Sequence, residues 1–121
     1  MARPARFSPD DVLDAAASAI AEHGRGATLA QVAQALGGPT GSIYHRFASR
    51  EELMAELWLR SIRRFHVGLL AAYRVRDPHE ALLAATRHIP TYCREHPVEA
   101  LAMTLHRQPV LAASGPVGLR E

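Results

Sequence analysis

The chain has 121 residues, 48% of them apolar and 21% charged, a mix that fits one ordinary globular core and excludes a disordered chain. Its net charge of +2 is too small to announce a nucleic-acid partner by itself, and the 14 basic residues are all arginine, which reads as base composition rather than function. No apolar run approaches the ~18 residues of a membrane span, and MARPARFSPDD lacks the apolar core of a signal peptide. The lone Cys93 has no internal disulfide partner, so a reducing cytoplasm is the expected setting.

Helix punctuation is dense from the start. Ser8-Pro9-Asp10-Asp11 offers an N-cap, a proline at the first helical position and early acids for the helix dipole. Val12, Ala16, Ala19 and Ile20 follow at helical spacing as one buried stripe, and Gly24 stops the run as an αL cap. Thr28-Leu29-Ala30-Gln31 reads as a capping box for a second helix, with Leu29, Val32, Ala33 and Leu36 as its apolar face and Gly37 as its end.

A third helix is predicted within Thr40 to Phe47. Ser49-Arg50-Glu51-Glu52 is another capping box, opening the longest periodic segment, where Met54, Trp58, Ile62, Phe65 and Leu69 recur every three or four residues. Glu56 four residues before Arg60 predicts an ion pair along that helix. Asp77 and Pro78 open a fifth helix, in which Pro90 removes a donor and crowds the Thr86 carbonyl, so a kink or a division into two is expected. A sixth helix starts at His96-Pro97-Val98-Glu99 and runs to about Arg107. Gln108 to Glu121 shows no period and reads as a loop. The expected fold class is all-α.

Three helices within the first 48 residues, the last two separated by a tight glycine-bearing turn, describe a helix-turn-helix. A recognition helix must project so that its side chains meet a DNA groove, yet a short helix has little stability alone. Ile43 and Phe47, four apart, supply an inward anchor. Thr40, Ser42, Tyr44, His45 and Arg46 are then left outward, with hydroxyls and an imidazole suited to phosphate or base edges. Gly37 and Gly38 let the chain reverse, and Gly41 allows close backbone approach. Arg50, beside the start of the fourth helix, offers a second seat for phosphate. Arg3 and Arg6 serve equally as a basic arm or as plain solubility.

The stretch VAQALGGPTGSIYHRFASREEL resembles the signature of the TetR family of bacterial transcriptional repressors. That signature ends its second helix in a small residue and glycine, continues with Gly-Thr/Ser-hydrophobic-Tyr, adds an aromatic three residues later, and caps helix four with Ser-Lys/Arg-Glu. Here these are Gly37, Gly41-Ser42-Ile43-Tyr44, Phe47 and Ser49-Arg50-Glu51. VLDAAASAIAEHGRGATLAQVA fits the first two helices, and the likeness covers roughly residues 8 to 66. The family usually has Val-Ser where this chain has Gly38-Pro39, so its third helix is entered differently, with Thr40 as the candidate cap.

The resemblance implies a DNA-binding head over residues 6–66, with the recognition helix at about 40–47, followed over residues 67–121 by the N-terminal part of a helical ligand-binding and dimerisation domain. It implies DNA contacts at Thr28, Thr40, Gly41, Ser42, Tyr44, His45 and Arg50, while Arg46 stands where the family commonly has histidine or tyrosine and is either an added phosphate contact or a solvated charge. It further implies a homodimer on a palindromic double-stranded operator, released by a small-molecule effector lodged near Trp58, Phe65, Tyr92 and Met103. Family members are longer, so the regulatory domain is expected to be incomplete in this chain.

Other chemistries have less support. His88, Cys93 and His96 lie on neighbouring turns without a third firm ligand at metal spacing, so no metal or other cofactor is expected. Trp58, Phe65, Tyr73, Tyr92 and Met103 also read as ordinary core at helical spacing. No nucleophile elbow or phosphate-binding glycine loop occurs, so an enzyme is not expected. The alternative is a helical protein-interaction module that keeps the helix-turn-helix shape without binding DNA, a reading favoured by the near-neutral charge and by Gly38-Pro39.

Overall fold

A computed structural model describes residues 7–105 of the chain. Arg3, Arg6 and the segment after Leu105, which includes the loop expected from Gln108 onward, lie outside the described residues. Six helices follow in order: α1 (Pro9–His23), α2 (Leu29–Leu36), α3 (Thr40–Tyr44), α4 (Arg50–Tyr73), α5 (Pro78–Glu95) and α6 (Pro97–Ala102). No strand occurs among the described residues, and the chain is all-α as expected.

Local signals set most of the helix ends. The Ser8 hydroxyl accepts from the Asp11 N–H at 3.1 Å, and the Asp11 carboxylate accepts from the Ser8 N–H at 2.8 Å. Thr28 and Gln31 close the same reciprocal box at 3.2 and 2.9 Å. Such caps are each worth about 1 kcal/mol. At α4 the box takes a different form. Ser49 accepts from the Glu52 N–H at 3.1 Å, but the Glu52 carboxylate reaches past Ser49 to the Ala48 N–H at 2.6 Å.

The two glycine stops also differ. Gly24 has φ 83° and ψ −172°, an extended positive-φ cap instead of the αL cap expected. Gly37 is left-handed at φ 78° and ψ 26°. The Gly38 N–H there bonds the Ala33 carbonyl at 3.2 Å and the Gly37 N–H reaches Gln34 at 3.2 Å, the paired bonds of a Schellman motif.

The core lies where α1, α2, α3 and the first half of α4 meet. Val12, Ala16 and Ile20 pack with Val32, Ile43, Leu53, Met54 and Leu57, and Ala102 of α6 closes the cluster from the far side. Burial on α4 centres on Leu53, Leu57 and Ser61, with Met54 beside them. Trp58, Ile62, Phe65 and Leu69 of the expected stripe are only half-buried, because they face α5 and α6 and not the head.

Three further expectations are corrected. Arg60 does not pair with Glu56. Its Nη1 lies 2.8 Å from Asp14 and 3.3 Å from Asp10 on α1, because the packing of α4 on α1 brings those acids within reach. α5 is not divided at Pro90 but continues through it as one helix from Pro78 to Glu95, packed against α4. α6 ends at Ala102, its last carbonyls taken up by tight turns at Met103 to Leu105.

Candidate nucleic-acid interface

The α2–α3 turn is three residues long. After the Schellman stop at Gly37, Gly38 sits against the Phe7 ring, which a Cβ there would meet at 2.6 Å. Pro39 then enters α3 in extended conformation at φ −73° and ψ 156° and gives it no side-chain cap, so Thr40 does not take that role. The Ser42 N–H bonds the Pro39 carbonyl at 3.0 Å and starts the helix.

α3 has only five residues, too few to stand alone. Ile43, 1% exposed, and Phe47, 7% exposed, hold it to the core. The opposite side is open: Thr40, Gly41, His45 and Arg46 are exposed, Tyr44 is 57% exposed, and Ser42 is half-buried. A Cβ placed on Gly41 would meet nothing within 4 Å, so the helix presents bare backbone there. The expected outward residues are therefore exposed, except for the half-buried Ser42.

Thr28 and Arg50 have further roles. Thr28 is exposed at the start of α2, its oxygen engaged by the Gln31 N–H. Arg50 is half-buried and turned toward the α1–α2 connection, donating through Nε to the Ala27 carbonyl at 2.8 Å and through Nη2 to Arg25 at 2.6 Å. These bonds join residues 23 and 25 positions apart, a separation at which no local pattern announces a contact.

Of the expected effector-lining residues, Phe65 and Tyr92 are in aromatic contact between α4 and α5. Phe65 meets Tyr92 edge-on at 5.4 Å between ring centroids and lies 4.9 Å from the His88 ring. The Trp58 indole N–H donates to the Met103 carbonyl at 3.1 Å. Burial raises the Tyr92 phenol above its ordinary pKa, with a further push from the Glu99 charge that Arg64 partly offsets. An open groove of about 470 Å³ lies elsewhere, between α1 and α2, lined by Phe7, Asp11, Asp14 and Leu36 among others. Cys93 is exposed, and the described residues include no cluster of three metal-ligating side chains. None of the described helices is long and apolar enough to cross a membrane.

Residues 12–57 match the family described as bacterial regulatory proteins, tetR family. The HTH-type transcriptional repressor KstR2 of Mycobacterium tuberculosis is 42% identical over 65 residues, covering 53% of this chain and 30% of the repressor. Two crystal structures have the same fold. A transcriptional regulator from Rhodococcus sp. Rha1 superposes with a TM-score of 0.72 at 28% identity, covering 89% of this chain and 57% of that one. The TetR family regulator PfmR of Thermus thermophilus gives 0.71 at 29% identity, covering 90% and 58%. The matched segment is TetR-like. The helix-turn-helix formed by α2 and α3 lies inside that segment. The chain spans about a third of the curated repressor's length and just over half of the chain in each of the two crystal structures.

Proposed function

We propose that the protein acts as a ligand-responsive repressor that binds a palindromic operator as a homodimer. The observation that supports this most directly is the two-sided α3: Ile43 and Phe47 are spent on the core, while Tyr44, His45 and Arg46 face outward. In this reading residues 6–66 form the DNA-binding head, and residues 67–121 belong to the effector-binding and dimerising half.

Thr40, Ser42 and His45 face base edges in the major groove, where a hydroxyl or imidazole can both donate and accept. Tyr44, Arg46, Arg50 and the start of α2 at Thr28 meet phosphates, which position the head without reading sequence. Gly41 lets the backbone approach closely. Two heads would enter half-sites ~34–36 Å apart, one helical turn, or a multiple of that spacing.

Effector binding near Trp58, Phe65, Tyr92 and Met103 would move α4, which runs from the head core to those aromatics. Head spacing then changes and the operator is released. An effector achieves this only by binding the released state more tightly than the bound one.

Selection of bound sequences from a random duplex pool tests the reading. It predicts enrichment of an inverted repeat, and loss of retention when a binding effector from a compound screen is added. No enriched sequence, together with a protein partner in pull-down, would favour the interaction-module alternative.

A further inference from the structure

Arg50 is the first residue of α4, yet its side chain serves the opposite side of the head. The loop it meets follows the C-terminus of α1, where helix carbonyls concentrate negative charge. The guanidinium fork takes two carbonyls of that loop at once, Ala27 through Nε at 2.8 Å and Arg25 through Nη2 at 2.6 Å. Ala27 is fully buried and its N–H closes a turn onto the Gly24 carbonyl at 3.1 Å. The next residue, Thr28, is the N-cap of α2. One side chain therefore ties the start of α4, three residues beyond Phe47, to the start of α2. These two segments flank the recognition helix.

The geometry points to Arg50 as a positioning residue, a strut that sets the α2 N-terminus relative to α3 and thereby aligns the DNA-contacting rim. Two of its five N–H groups are spent on carbonyls, and charge-assisted bonds of this kind are roughly twice as strong as neutral ones. A lysine at the same place keeps the charge but has no planar fork with which to span two carbonyls. The consequence for DNA rests on the function proposed above; the strut itself does not.

Arg50→Lys and Arg50→Gln separate the strut from a simple phosphate contact. In the free protein, amide hydrogen exchange at Ala27, Gln31 and Val32 is expected to accelerate on the order of tenfold in both variants, with the cores of α1 and α4 unchanged. Toward a random-sequence DNA duplex at fixed salt, Arg50→Lys is expected to weaken binding on the order of tenfold while keeping the wild-type slope of affinity against salt. Lysine that restores wild-type affinity, or exchange at Ala27 and Gln31 equal to wild type in both variants, overturns the proposal. A wild-type protein that binds no duplex refutes the DNA reading instead, and the exchange result alone then decides the strut.

Discussion

Arg60 on α4 points at Asp14 on α1, 2.8 Å away, and not along its own helix to Glu56. The same guanidinium also lies 3.3 Å from Asp10 and 3.6 Å from Glu99 of α6. Glu99 is in turn held by Arg64 at 2.6 Å and by the buried Ser61 hydroxyl at 2.8 Å, whose single proton is shared with the Leu57 carbonyl. One arginine, 11% exposed in its side chain, thus ties the first helix of the head to the last described helix. Its Nε and Nη2 have no hydrogen-bond partner, so the attachment depends on charge more than on ideal bonding.

Arg60→Ala is expected to cost about 1–3 kcal/mol, more than a surface pair and less than a fully buried one, because Asp10 and Asp14 remain solvated. Glu56→Ala should leave the denaturation midpoint unchanged. Equal effects of the two substitutions in chemical denaturation would refute the assignment.

This network marks where the sequence stops being legible. Caps are contacts three residues apart, so Ser8 with Asp11, Thr28 with Gln31 and Asp77 with Glu80 could be read directly from residue types. The anchors Ile43 and Phe47 and the exposed Tyr44 to Arg46 followed from helical spacing in the same way. Arg60 and Arg50 could not be read so. Within one helix Arg60 has Glu56 as its natural partner, and only the packing of α4 on α1 offers it Asp14 instead. For Arg50 the residue types suggested a phosphate ligand only, because the Ala27 carbonyl that its Nε also meets lies 23 positions away in the chain. The Ser49 box was half legible, since the Glu52 side chain takes the donor one residue further back.

The two sides of α3 should separate in mutagenesis. Phe47→Ala is expected to destabilise the fold by about 3–5 kcal/mol through lost burial and a cavity. Tyr44→Ala and His45→Ala should leave the thermal midpoint unchanged and weaken DNA binding. A Tyr44 variant that unfolds while still binding DNA would reverse the assignment.

Gly38 and Gly41 should respond in opposite directions to alanine. At Gly38 the new methyl runs into the tip of the half-buried Phe7 ring, which must shift, at a cost at the low end of overpacking, about 1 kcal/mol. At Gly41 it meets open space inside a helix, so Gly41→Ala should gain about 0.5–1 kcal/mol while obstructing close approach to DNA. Calorimetry with a binding titration checks both. Gly41→Ala with full DNA affinity would remove the need for bare backbone there.

Tyr92 sets an alkaline limit. Its pKa in the folded chain is raised above 10.0, mainly by burial, so the folded state holds its proton more tightly than the unfolded one. The stability this contributes is complete below pH 10.0 and is lost as pH rises through the higher folded value. Denaturation midpoints should fall above that pH in the wild type and fall less in Tyr92→Phe. Parallel pH curves for the two proteins would contradict this.

The DNA-reading role of α3 is tested most directly by titrating duplexes recovered from the random-pool selection with wild type and with His45→Ala at stated salt. The expected result is an enriched motif bound by the wild type, and an equally stable variant that has lost on the order of 1–3 kcal/mol of discrimination at one base position. Identical affinity and identical sequence preference for the two proteins would contradict it.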